Sequence, residues 1–175
     1  MAKARTEVLG RWLPLVELQL DVLLGAAAPA ECEPATVAQE ALRQVIAGES
    51  EEALQDPVRC CVRLRRVALK ILKERLERLG ADPSLVQRAR ELSERLRQDE
   101  QAQPLHELEA ILAVAEALRQ LDENARRLVV DRTLRREPLE EIARKRQMPL
   151  PEVQKQWLAA IARLKAILAG APSSD

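Results

Sequence analysis

The sequence holds few residues that could perform catalysis. His106 is the only histidine and falls on the polar side of a predicted helix, with no cysteine or carboxylate cluster arranged around it. The chain contains no glycine-rich phosphate loop, no HExxH metal motif and no nucleophile elbow. We therefore expect no enzymatic activity, no cofactor, no metal ion and no small-molecule substrate.

The three cysteines are Cys32, Cys60 and Cys61. Their odd number and the adjacent pair fit neither a disulfide framework nor the CxxC spacing of a zinc site. A free cysteine behaves as a small apolar residue. We therefore expect all three to be buried or half-buried in a hydrophobic core.

Side chains suited to nucleic acid lie near the C-terminus. Gln154, Lys155 and Gln156 are consecutive. A glutamine can bond an adenine edge at two positions, and a lysine can reach guanine or a phosphate. Arginines that could contact phosphates of the same duplex precede them in the chain: Arg126, Arg127, Arg132, Arg135, Arg136, Arg144 and Arg146.

Charge is distributed in blocks along a chain whose formal net charge is zero. Residues 1–57 hold four basic and ten acidic residues, whereas residues 58–78 hold eight basic and two acidic ones. Residues 79–118 then hold four basic against eight acidic residues, and residues 119–175 hold twelve against eight. The two basic blocks can attract phosphate backbones whatever the total charge. Taken singly, each could equally be a solvated helix face.

Composition predicts an all-α protein, and a chain of 175 residues is long enough for two small helical domains. Aromatic residues make up 1% of the chain and comprise Trp12 and Trp157. A core must therefore be built from Leu, Val, Ile and Ala, which with many Arg and Glu favour helices over a sheet. No apolar run is long enough to cross a bilayer, and no signal peptide opens the chain. We expect a cytoplasmic protein without membrane insertion.

Apolar spacing predicts a helix over 9–23 that starts near Pro14 or bends there, and another over 37–45. An acidic loop over 48–57 precedes a long basic helix that opens at Pro57 and ends near Gly80. A further helix covers 85–96, followed by a polar segment over 99–104.

We assign residues 1–80 to a first domain, 81–104 to a partly helical linker, 105–170 to a second domain and 171–175 to a tail. The second domain contains a helix-turn-helix pattern: a short helix over 138–146, a turn at 147–149 and a final helix opened by Pro151. The N-terminal residues of such a final helix enter the major groove of DNA. A helical bundle with a short connection is the other possibility.

The period of the final helix defines its two sides. With Val153, Trp157 and Leu164 inward, four residues point outward: Glu152, Lys155, Ala159 and Arg163. Gln154 and Gln156 flank them. These side chains are the ones we expect to meet base edges.

The run LDENARRLVVDRTLRREPLEEIARKRQMPLPEVQKQWLAAIARLKAIL resembles the fourth conserved region of bacterial RNA polymerase sigma factors of the extracytoplasmic-function (ECF) group. In the first half, WLPLVEL is similar to the entry helix of the second conserved region. TVAQEALRQVI stands in place of the family's polymerase-binding helix, and RCCVRLRRVALKILKERLERL in place of its basic helix. The resemblance covers nearly the whole chain.

The resemblance implies a sigma factor that directs core RNA polymerase to promoters, with promoter DNA, core polymerase and an anti-sigma factor as partners. It implies upstream-element contacts by Gln154, Lys155, Gln156, Ala159, Arg163, Arg144 and Arg146. It implies downstream-element contacts by Arg59, Arg63, Arg65, Arg66, Lys70 and Lys73. It implies core-polymerase contacts by Gln39, Glu40, Leu42 and Arg43.

Two other functions remain open. Opening a promoter requires unpaired bases to stack on aromatic faces or enter pockets, and the first half of this chain has Trp12 as its one aromatic residue. The chain could therefore be a sigma-like interaction protein that binds core polymerase or an anti-sigma factor without melting DNA. It could also be a stand-alone helix-turn-helix regulator. Gln147 stands where the family's turn carries glycine.

Overall fold

Helices form all of the regular secondary structure that the computed structural model describes, which covers residues 2–25, 28–48, 55–98 and 104–170. The all-α prediction is therefore confirmed for that part of the chain. The helices are α1 (Ala2–Gly10), α2 (Leu13–Leu24), α3 (Pro34–Gly48), α4 (Pro57–Arg78), α5 (Pro83–Gln98), α6 (Leu105–Arg119), α7 (Glu123–Val129), α8 (Leu139–Arg146) and α9 (Leu150–Leu168). Most of the predicted loop over 48–57 and of the polar segment over 99–104 lies outside the described residues. Within them, no helix is long and apolar enough to span a membrane.

The chain divides within α6 into two compact units, Met1–Leu112 and Ala113–Asp175. Helix α5 packs along α4 and buries Ala89 and Leu96 in the core of the first unit. This part of the predicted linker over 81–104 therefore belongs to the first unit.

Local chemistry in the first unit sets where its helices begin and end. Pro14 is the second residue of α2, so the predicted start near Pro14 is the correct alternative. The Asp56 carboxylate caps α4 by accepting the backbone N–H groups of Val58 at 2.9 Å and Arg59 at 3.2 Å. Gly80, with φ of 62°, follows the end of α4 in the left-handed conformation that glycine adopts without strain.

Helix α4 is the centre of the first unit and packs against α3, α5, α2 and α1. Its buried side chains take up more than half of the helix circumference: Cys60, Cys61, Val62, Leu64, Ala68, Leu69, Ile71, Leu72 and Leu76. Burying one leucine side chain stabilises a fold by roughly 1.5–3 kcal/mol. Cys32 is buried as well, so the prediction that the cysteines are core residues is confirmed.

The second unit is built around α7, α8 and α9. Asp122 caps α7, and its carboxylate accepts the N–H of Ala125 at 2.9 Å. A single π-helical turn, Val130–Leu134, continues α7. Leu128, Ile142, Ala143 and Val153 form a small core against which Trp157 packs. Trp157 is therefore part of the core, as predicted.

The connection between α8 and α9 is a tight left-handed turn. Gln147 has φ of 54° and ψ of 41°, and its N–H bonds the Arg144 carbonyl at 3.2 Å. The Met148 N–H bonds the Ala143 carbonyl at 3.0 Å, which completes the Schellman pattern of a helix end. Because Met148 also packs on the small core, the turn fixes the direction in which α9 starts.

Candidate nucleic-acid interface

The four side chains that the sequence assigned to the outer side of α9 are all exposed, as predicted: Glu152, Lys155, Ala159 and Arg163. Gln154, one of the two glutamines that flank them, is exposed as well. Gln156 is half-buried, and its amide donates to the Glu152 carboxylate at 3.2 Å. Arg163 lies 3.7 Å from the Asp122 carboxylate.

Leu158 was not among the residues predicted for the outer side of α9, and its exposed fraction is 60%. Leu158 lies three residues after Lys155 and four after Gln154, so the three side chains are neighbours on one helix surface. The signal was present in the sequence, because the residues assigned inward leave position 158 on the outer side. The outer face of α9, defined as Gln154, Lys155 and Leu158, therefore combines an amide, an ammonium and an apolar group.

Ion pairs within the second unit engage most of its predicted phosphate-binding arginines. Arg126 and Arg127 both bond Glu123 at 2.7 Å, and Arg144 bonds Glu141. These pairs lie at the surface, where solvent screening makes them weak and a phosphate can compete for the cation. Arg132 donates to the Glu137 carbonyl at 3.3 Å, Arg136 is exposed and Arg146 is half-buried.

Arg135 differs from these residues because it pairs with Asp131 away from solvent, at 2.7 Å. Burial raises the pKa of the Asp131 carboxyl above its ordinary value, and the neighbouring Arg135 charge opposes that rise. An arginine held in this way supports the π-helical turn and is poorly placed to contact DNA.

Packing separates the basic block of α4 into two sets. Arg65 donates to the Gln19 amide oxygen of α2. Arg75, with 16% of its side chain exposed, bonds Glu40 of α3 and the Glu31 carbonyl. The helical period places the remaining predicted downstream contacts along the opposite side of α4: Arg59, Arg63, Arg66, Lys70 and Lys73. We call these five residues the basic stripe.

A cavity of about 360 Å³ lies beside the basic stripe, in the groove between α3, α4 and α5. Arg63, Arg66 and Lys70 line one side of it, with Val45 and Val67 as apolar neighbours. Gln44, Gly48 and Ser93 complete its lining. Three cations around one groove raise the local concentration of anions, as binding of a phosphate backbone requires.

The residues predicted to contact polymerase lie on α3 and differ in accessibility. Gln39 and Arg43 are exposed, whereas Glu40 is engaged by Arg75. Leu42 is 5% exposed and belongs to the core of the first unit. An outer contact surface on this helix would therefore consist of Gln39 and Arg43, with Leu42 holding the helix in place.

Trp12 has no exposed surface and packs in the core of the first unit, beneath the Arg11 guanidinium at 5.3 Å. It cannot stack on an unpaired base. His106 is exposed, and the described residues contain no group of three or more His, Cys, Asp or Glu side chains that could hold a metal ion.

Comparison with known proteins gave no match: no family model, no curated protein sequence and no solved structure is similar to this chain.

Proposed function

We propose that α8, the Gln147 turn and α9 form a helix-turn-helix that reads duplex DNA. The supporting observation is the outer face of α9, where Gln154 and Lys155 are exposed near the start of the helix while Val153 and Trp157 anchor its opposite side. Residues in this position of a second helix meet base edges in the major groove. The amide of Gln154 can bond an adenine edge, and the ammonium of Lys155 can bond guanine or a phosphate.

We further propose that the protein is a divergent sigma factor that directs core RNA polymerase to promoters and acts in the cytoplasm. The basic stripe on α4 supplies a second site for phosphates, at the position that the family resemblance gives to the downstream element. Exposed Gln39 and Arg43 on α3 provide the polymerase contact. Two separate cationic sites in one chain suit two promoter elements better than one operator.

Three measurements test this function. Selection from random DNA duplexes, with the full chain alone and with core polymerase, should enrich one sequence, and the chain should co-purify with core polymerase. Run-off transcription from the enriched sequence then tests initiation. Failure to bind core polymerase would remove the sigma-factor proposal, and failure to enrich any duplex would remove DNA reading.

Lys155→Ala tests the reading role of α9. It should weaken binding to the enriched duplex by about tenfold, within the roughly 1–3 kcal/mol that a good base contact contributes, and should change binding to unrelated duplexes much less. Lys165→Ala is the matched control because it removes the same charge from a later turn of α9, where the side chain is also exposed. Equal losses for both variants on both duplexes would show a purely electrostatic effect.

One observation favours a second function, a sigma-like protein that binds core polymerase without opening DNA. Trp12 is buried and the chain has no Phe or Tyr, so its first unit offers no aromatic surface for unpaired bases. Permanganate probing of thymines in the complex with core polymerase distinguishes the two functions. Reactive thymines together with run-off transcripts would support the sigma factor, and protected thymines without transcripts would support the non-melting protein.

A further inference from the structure

We infer that Leu158 determines specificity by contacting the 5-methyl group of a thymine, an inference that rests on the DNA reading proposed for α9. Leu158 is the most exposed of the large apolar side chains in the described part of the chain. The buried stripe of α9 consists of Val153, Ala160 and Leu164, so the fold does not need Leu158 for its core.

The surroundings of Leu158 favour a duplex as its partner. Lys155 and Gln154 lie one turn earlier on the same face and match the charge and polarity of a major groove. Ala159 and Ala162, which are exposed beside Leu158, are short enough to let its isobutyl group project beyond them. An apolar protein groove would instead be matched by several large apolar side chains on this face, and the outer face holds Leu158 alone.

The chemistry of the major groove supplies one apolar group, the methyl of thymine. A leucine that covers this methyl removes apolar surface of both partners from water. Since Leu158 follows Gln154 by one helical turn, we expect its thymine to lie in or next to the base pair that Gln154 contacts. The enriched sequence should therefore contain a thymine whose replacement by uracil weakens binding.

Deoxyuridine substitution tests this contact because it deletes only the methyl group. Each thymine of the enriched duplex is replaced singly by deoxyuridine, and the dissociation constant of the full chain, with core polymerase where binding needs it, is measured by fluorescence anisotropy. One position should weaken binding by about threefold to fivefold, the effect of removing one buried methyl group. In Leu158→Ala the same replacement should have no effect.

Leu168→Ala is the matched control, since Leu168 is 46% exposed at the far end of the same helix. Leu168→Ala should lose affinity on deoxyuridine substitution by the same factor as the original chain. Circular dichroism should show equal helix content for both variants, because replacing an exposed leucine by alanine does not lower helix propensity.

Two outcomes would overturn the inference while leaving DNA reading intact: no thymine position is sensitive to deoxyuridine, or the sensitivity persists in Leu158→Ala. If Leu158→Ala instead keeps its discrimination among duplexes and loses association with core polymerase, Leu158 belongs to a protein interface and the thymine contact is wrong. A chain that enriches no duplex under any condition overturns both the inference and the proposed reading function.

Discussion

At the turn between α8 and α9, Gln147 occupies a left-handed backbone conformation, with φ of 54°, that glycine adopts more easily. A side chain with a Cβ atom costs roughly 1–2 kcal/mol there. Gln147 is exposed and Met148 provides the apolar contact of the turn, so the glutamine side chain contributes little packing. The second unit therefore holds strain at the point that aims α9.

Gln147→Gly should raise the free energy of unfolding by about 1 kcal/mol, because it removes this strain. Urea unfolding followed by circular dichroism measures the change, and amide hydrogen exchange in α8 and α9 assigns it to the second unit. Gln154→Gly, in the interior of α9, is the control and should lower stability by about 1 kcal/mol. A lower free energy of unfolding for Gln147→Gly would show that the backbone at Gln147 is not strained.

Burial raises the pKa of the Cys61 thiol from 9.0 to about 12, against a smaller opposing effect from Arg65. In the unfolded chain this thiol ionises at its ordinary pKa. The stabilisation that depends on the neutral thiol is thus complete below pH 9 and is lost as the pH rises from 9 towards 12.

Between pH 8 and pH 10 the chain should therefore lose about 1.4 kcal/mol of unfolding free energy through Cys61. Cys61→Ala is less stable at pH 8 because it leaves a small cavity, but its stability should depend less on pH over this range. Urea unfolding at both pH values gives the comparison. Parallel losses in the two proteins would show that Cys61 does not carry the effect.

At the scale of the element, α4 shows how one basic helix can serve two purposes. Arg65 and Arg75 point towards α2 and α3 and hold those helices, while the basic stripe points away from the main packing side. The predicted downstream contacts therefore divide into structural residues and candidate phosphate contacts. Arg65, included among the contacts on sequence grounds, falls in the structural set.

Arg63→Gln combined with Lys70→Gln should make the negative slope of log binding constant against log salt concentration shallower by about 2, because each lost phosphate contact removes roughly 0.9 from its magnitude. Filter binding at several salt concentrations measures the slope. Arg65→Gln is the control: it should leave the slope nearly unchanged and lower the free energy of unfolding by about 1 kcal/mol through the lost bond to Gln19. An unchanged slope in the double variant would refute phosphate contact by the stripe.

At the scale of the whole molecule, the sequence carries two basic blocks, and acidic residues dominate the segment before each of them. Segregation of this kind would let a chain of zero net charge attract DNA backbone at two places, as the proposed function requires. The first unit also presents the exposed residues of α3 that the proposed polymerase contact requires.

Gln39→Ala combined with Arg43→Ala should weaken core-polymerase binding by about fivefold or more, the effect typical of removing an important interface contact. Surface plasmon resonance with immobilised core polymerase measures the loss, and thermal unfolding should show little change because both side chains are exposed. Leu42→Ala should instead lower stability by roughly 2–5 kcal/mol, as expected for a buried leucine. If the double variant binds core polymerase as tightly as the original chain, the polymerase contact does not involve Gln39 and Arg43.

Helix type and several helix ends were determined by the sequence itself. Asp122, Pro57 and Gly80 act within about four residues of their own position, through caps and backbone preferences that need no distant partner. Trp157 was likewise assigned to the core from helical period alone, because α9 buries one narrow stripe. Local chemistry and a single buried face are sufficient for such predictions.

Tertiary packing decided which polar side chains remain available to a partner. Because α4 is surrounded by four other helices, its buried arc is wide, and neighbouring helices engage Arg65 and Arg75 as well as the apolar side chains. The width of a buried arc depends on how many elements pack around a helix, and periodicity alone does not contain that number. For the same reason, the burial of Leu42 and Trp12 became visible only in the folded chain.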